Sequence, residues 1–164
     1  MAKKAFFVIT VLLLVVMLSS CDYSEKINGG GWLDSGKWKT RCGWNECPDG
    51  KATFGFHLDL TDEENPKVNG VYHDHSCGVD LKFTDGVDVD WFQNNGSCLE
   101  GELNYASLDP KNRGDGELEF KVCDFGEGAP DKGDTLYINV TSGPYDGYEN
   151  YGLIHGGNIQ DLDD

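Results

Sequence analysis

Three groups of side chains in this sequence carry donor atoms that chemistry would need. His73-Asp74-His75 is the sharpest. On an extended strand alternate residues point the same way, so His73 and His75 would share a face and Asp74 would take the other. Two imidazoles on one face begin a site for zinc, copper or nickel, with a third ligand needed from His57, His155 or a carboxylate. Asp124, Glu127, Asp131 and Asp134 lie in a glycine-rich stretch, DFGEGAPDKGD. They offer the hard oxygens that calcium takes, though not at EF-hand spacing. Asp85, Asp88 and Asp90 form a second acidic cluster of the same kind. Solvated histidines and solvated turn carboxylates explain these groups as simply. No cofactor is therefore expected, with calcium or a transition metal as the alternative.

The third group is aromatic. Trp32, Trp38, Trp44, Tyr145, Tyr148 and Tyr151 fall outside the alternating apolar positions. Such rings either cover the ends of a core or present a face to a sugar. No G-x-S-x-G, P-loop, H-E-x-x-H or dinucleotide-binding fingerprint occurs, and no carboxylate pair stands out, so no enzyme activity is expected.

The elements that must hold these groups are strands. Phe54, Phe56, Leu58 and Leu60 alternate, as do Val79, Leu81 and Phe83, then Val87, Val89 and Trp91. Leu99, Leu103 and Tyr105 share a parity; so do Leu118, Phe120 and Val122, and Leu136, Ile138 and Val140. A period of two marks half-buried strands. Lys67 to His75, with Val71 as an apolar position, and Tyr151 to Gln160 read as further strands. Asp85-Gly86 and Asn94-Asn95-Gly96 read as turns. About eight or nine short strands between turns predict one all-β antiparallel sandwich or barrel-like domain.

The chain has 164 residues and a formal net charge of −16. That length suits one domain. A chain this acidic repels phosphates, which excludes nucleic acid as a partner. Lys3 and Lys4 precede an uncharged apolar run over residues 6–18, followed by Ser19, Ser20 and Cys21. A basic start, a short apolar run and small residues describe an export signal. The run is shorter than the roughly 20 residues a spanning helix needs. Export places the six cysteines in an oxidising compartment. Cys42 and Cys47 flank only four residues, and a local bridge between them is expected. Cys77, Cys98 and Cys123 compete for a second bridge. No C-x2-C occurs to suggest zinc.

Leu18-Ser19-Ser20-Cys21 resembles the lipobox of bacterial lipoproteins. That resemblance implies a signal peptide over 1–20, lipidation of Cys21 and a tether over 21–28. Asp22 resembles the inner-membrane retention residue of some enteric lipoproteins, and the choice of membrane stays open. The domain would then span 29–164. Its landmarks resemble the post-COAP domains of bacterial secreted proteins: Gly29-Gly30-Gly31-Trp32, Lys51-Ala52-Thr53-Phe54-Gly55-Phe56, Leu81-Lys82-Phe83, the 126–136 loop and Gly156-Gly157-Asn158-Ile159. The resemblance implies a small exported β-rich module. The expected protein is a non-catalytic interaction module anchored to the cell envelope by lipid, with an envelope protein or a glycan as partner. The alternatives are a metal- or calcium-binding envelope protein and a secreted, soluble carbohydrate-binding or glycan-processing domain.

Overall fold

Apolar residues at every second position give each segment one face for a core and one for solvent. The computed structural model describes residues 26–62, 66–93, 97–126 and 133–161. They form eleven strands: β1 (Lys26–Asp34), β2 (Lys37–Thr40), β3 (Gly43–Glu46), β4 (Lys51–Asp59), β5 (Lys67–Asp74), β6 (Val79–Gln93), β7 (Ser97–Ser107), β8 (Asp115–Asp124), β9 (Thr135–Val140), β10 (Tyr148–Leu153) and β11 (Asn158–Asp161). All belong to one antiparallel sheet, ordered β11-β1-β4-β5-β6-β7-β8-β9-β10-β2-β3, curled into a half-barrel. The inner face is packed with Leu33, Leu58, Leu81, Leu103, Leu118, Ile138 and their neighbours, all fully buried.

The all-β architecture is as expected, with more strands than the eight or nine read from the alternation. Asp85-Gly86 is not a turn. It lies within β6, where the register with β7 shifts between Phe83 and Asp85 and again between Gly86 and Asp88. Such bulges bend a strand without ending it. The segment from Tyr151 to Gln160 is two strands: β10 pairs with β9, whereas β11 pairs with β1. Strand β1 begins at Lys26, inside the segment read as tether, because Ile27 is a core residue. On β5 the core parity is Val68, Tyr72 and Asp74, so Val71 faces outward. Strands β2 and β3 carry too little apolar pattern to be read in advance.

The chain crosses from one end of the sheet to the other in two residues. β1 pairs with β4, β2 pairs with β10, and only Ser35 and Gly36 connect them. This seam requires glycine: a Cβ at Gly36 would run into the Glu149 carbonyl and the Tyr148 hydroxyl.

The bridges are Cys47–Cys77 and Cys98–Cys123, and Cys42 is free and exposed. The expected Cys42–Cys47 bridge is thus overturned. The two residues flank the extended β3, and strand rise separates them by roughly 16 Å, far beyond disulfide reach. Cys98 and Cys123 face each other directly across β7 and β8, with Cα atoms 4.0 Å apart.

Candidate functional site

Two polar regions flank β10, one inside the half-barrel and one outside. The inner one centres on Asp74, which is fully buried. Its Oδ1 accepts from Ser35 Oγ at 2.9 Å and Cys77 N at 3.1 Å. Its Oδ2 accepts from Gly36 N at 2.9 Å and Tyr148 Oη at 2.8 Å. The Tyr148 hydrogen is committed to Asp74, so the 2.5 Å contact between the two hydroxyls has Tyr72 as donor. Asn150 Nδ2 donates to Tyr72 Oη at 2.8 Å and to the Asp34 carbonyl at 2.9 Å. The chain of donors therefore runs one way, from Asn150 through Tyr72 and Tyr148 to Asp74, and each bond polarises the next. Burial pushes both tyrosines well above their usual value of 10.0, and the neighbouring Asp74 charge adds to it. This cluster pins the Ser35-Gly36 crossing and closes the seam.

Cys47, Asp74 and Cys77 bring three potential metal-ligand atoms within 4.8 Å of one another. The two sulfurs are bonded to each other and all four acceptor positions of the carboxylate are filled, so no open ligand set results.

The two histidines end up beside Asp74 but outside it. His73 projects from β5 with Nδ1 2.5 Å from Asp80 Oδ1 of β6. His75 lies in the turn after β5, and its ring stacks on that of His73 at 6.1 Å. The candidate third ligands are elsewhere. His57 lies four residues along β4 from Thr53, the residue opposite His73, and contacts Asn28 Oδ1 at 2.6 Å. His155 stacks on Trp32 at 4.9 Å. The pair therefore gathers no third ligand from these two histidines. In the acidic loop, Asp134 accepts from Phe125 N at 3.2 Å and Ile159 N at 3.0 Å, and Asp124 accepts from Gly126 N at 2.6 Å. Those bonds tie the loop to β11. Glu127 and Asp131 lie outside the described residues, as do Cys21 and the whole lipobox.

The aromatics divide sharply. Tyr145 and Tyr148 are fully buried. Trp38 packs edge-on to Tyr148 at 5.5 Å, and Lys51 Nζ sits 3.5 Å from the centroid of Trp32. Tyr151 is 68% exposed and Trp44 44%.

Tyr151 belongs to the outer region, an open groove of about 780 Å³ across β7, β8, β9, β10 and the β2–β3 hairpin, with Ser35, Gly36 and Asn150 of the seam at its edge. Register builds it in transverse rows. Glu100, Lys121, Tyr137 and Tyr151 are successive cross-strand partners. Glu119, Asn139, Glu149, Lys37 and Glu46 form the next row. Lys121 pairs with Glu100 and Lys37 with Glu149, each at 3.2 Å. Asn139 Nδ2 donates to Glu119 Oε2 at 2.9 Å. The Tyr137 ring meets Tyr151 edge-on at 6.5 Å. Tyr137 is held above its usual value by burial first, then by Glu119 and Glu149.

Sequence reasoning missed Asp74, Tyr72 and Asn150 because their partners are distant in the chain. Tyr137 was legible: it lies between the core positions Leu136 and Ile138, so its ring had to face out. The fold and site together define a disulfide-linked all-β half-barrel with a charge-paired, aromatic groove on its outer face. No protein-family model matches the chain, and searches of curated proteins and of solved structures find no match.

Proposed function

We infer that this protein is a non-catalytic binding module displayed at a bacterial cell envelope through a lipid on Cys21. The observation that carries the binding role is the outer groove, where exposed Tyr151 stands beside paired lysines and glutamates on the sheet. Concave sites with a few convergent polar groups are where ligands dock. The lipobox and the post-COAP-like landmarks support the envelope address. The cysteine tally agrees with it: two bridges and one free thiol account for all five cysteines after Cys21.

The test is the intact mass of the native protein, extracted with detergent and alkylated without reduction. The expected species is residues 21–164 plus acyl chains, with one alkylated thiol at Cys42. A mass without lipid would replace the anchored module by a soluble secreted one.

A further inference from the structure

The groove combines features that select a ligand chemistry. Its floor pairs Lys37 with Glu149 and Lys121 with Glu100, and Glu46 and Glu119 add acid beside them. A polyanion meets a chain of net charge −16 and is repelled. A cationic peptide would compete with the lysines seated on Glu149 and Glu100, and its binding would weaken in salt, which a neutral ligand's would not. A purely apolar ligand would strip water from both ion pairs at a cost. The paired charges beside exposed rings favour an uncharged ligand rich in groups that both donate and accept. An ammonium has three donors and a carboxylate about four acceptor positions, so the Lys37–Glu149 pair keeps both kinds for a ligand.

The ring beside that floor supplies the other half. Tyr151 is 68% exposed, and its orientation is set by the edge of Tyr137 at 6.5 Å. Trp44 shares the parity of Glu46 on β3, and so faces the same way beyond Lys37, whose ammonium lies 4.7 Å from its centroid. The groove crosses several strands and opens to solvent. That shape fits an extended polymer better than an enclosed small molecule.

We propose that the outer groove binds a neutral oligosaccharide, with a sugar face laid on Tyr151 and its hydroxyls bonded to the Lys37–Glu149 pair. The proposal rests on the binding role assigned above and names its ligand class.

The test is native affinity electrophoresis of the full chain in gels containing mixed-linkage β-glucan, galactomannan or dextran, with alginate as the polyanionic control. At least one neutral polymer is expected to retard the protein. The retardation should be equal at low salt and at about 1 M, where charges are screened beyond roughly 3 Å. Tyr151→Ala should weaken it about tenfold, or ~1.4 kcal/mol, while Thr53→Ala on the outer face of β4 leaves it unchanged. No retardation by any neutral polymer overturns the proposal. So does retardation by alginate alone, or retardation that survives Tyr151→Ala. A protein cross-linked at the groove in place of sugar overturns the ligand class but keeps the binding module.

Discussion

Asp74 and Glu149 are carboxylates on either side of β10, and their surroundings differ in every respect that sets an energy. Asp74 is fully buried and accepts four hydrogen bonds from groups brought together from β10 and two connecting segments. Glu149 keeps 21% of its side chain exposed and meets one lysine at 3.2 Å. The buried group must be saturated, because an unpaired polar atom away from water costs about 1–3 kcal/mol. The outer group needs no such saturation, since water serves it. Saturation makes the inner cluster a fastening with nothing left for a ligand. Its absence leaves the outer pair able to exchange water for a ligand's hydroxyls.

The strongest way to break this comparison is Asp74→Ala. It strands Gly36 N–H, Cys77 N–H and the Tyr148 hydroxyl in the interior. Urea unfolding should show a loss of about 3–5 kcal/mol, the range for removing one partner from a buried charged network. A loss below about 1 kcal/mol would mean that the seam is held by something else. The two disulfides sharpen the contrast. Their sequence separations are 30 and 25, so chain entropy gives each about 3.5 kcal/mol. Replacing Cys47 and Cys77 by Ser should nonetheless cost more than replacing Cys98 and Cys123, because the Cys47–Cys77 bridge also anchors the turn whose Cys77 N–H serves Asp74. Equal losses would separate the bridge from the cluster.

Alkali tests the same cluster by another route. Burial holds Tyr72 and Tyr148 protonated well above their usual 10.0. The unfolded chain loses those protons near pH 10 while the folded chain keeps them. The folded state then binds more protons, so stability is intact below pH 10 and falls as pH rises above it. Absorbance at 295 nm should show these two tyrosines ionising only as the protein unfolds. Tyr148→Phe should cost about 1.5–3 kcal/mol at neutral pH, for the lost bond to a carboxylate, and flatten the decline in alkali. Reversible titration of all tyrosines near pH 10 in the folded protein would contradict the buried cluster.

How much of this was readable in advance follows the range of the forces involved. Alternation is local, so the core parity of β4, β7, β8 and β9 was legible residue by residue. The bulges of β6 were not, because Asp85-Gly86 looks the same in a turn and in a bent strand. His73-Asp74-His75 drew attention to its flanks, yet the residue between them does the holding. Its donors come from Ser35, Gly36, Cys77 and Tyr148, and no local pattern links those positions. The Cys42–Cys47 expectation failed for a related reason: sequence separation measures distance badly when the intervening residues are extended. On the outer face, Tyr137 was not singled out, although the parity of Leu136 and Ile138 places it there, and its meeting with Tyr151 required the β9–β10 register.

The smallest effect is the one that best tells a floor from a fastening. Lys37 Nζ lies 3.2 Å from Glu149 and 4.7 Å from the Trp44 centroid, with 32% of its side chain exposed. An ion pair this accessible is screened, and holding a long lysine side chain in place opposes it. A double-mutant cycle on Lys37→Ala and Glu149→Ala should therefore return a coupling below about 1 kcal/mol, shrinking further in high salt. Tyr151→Ala should change stability by no more than about 0.5 kcal/mol, since its ring is mostly in water. A coupling above about 2 kcal/mol would place Lys37 and Glu149 with Asp74, as part of what holds the seam shut. A small coupling, together with a Tyr151 variant that folds like the parent, keeps the groove's polar groups available to whatever binds there.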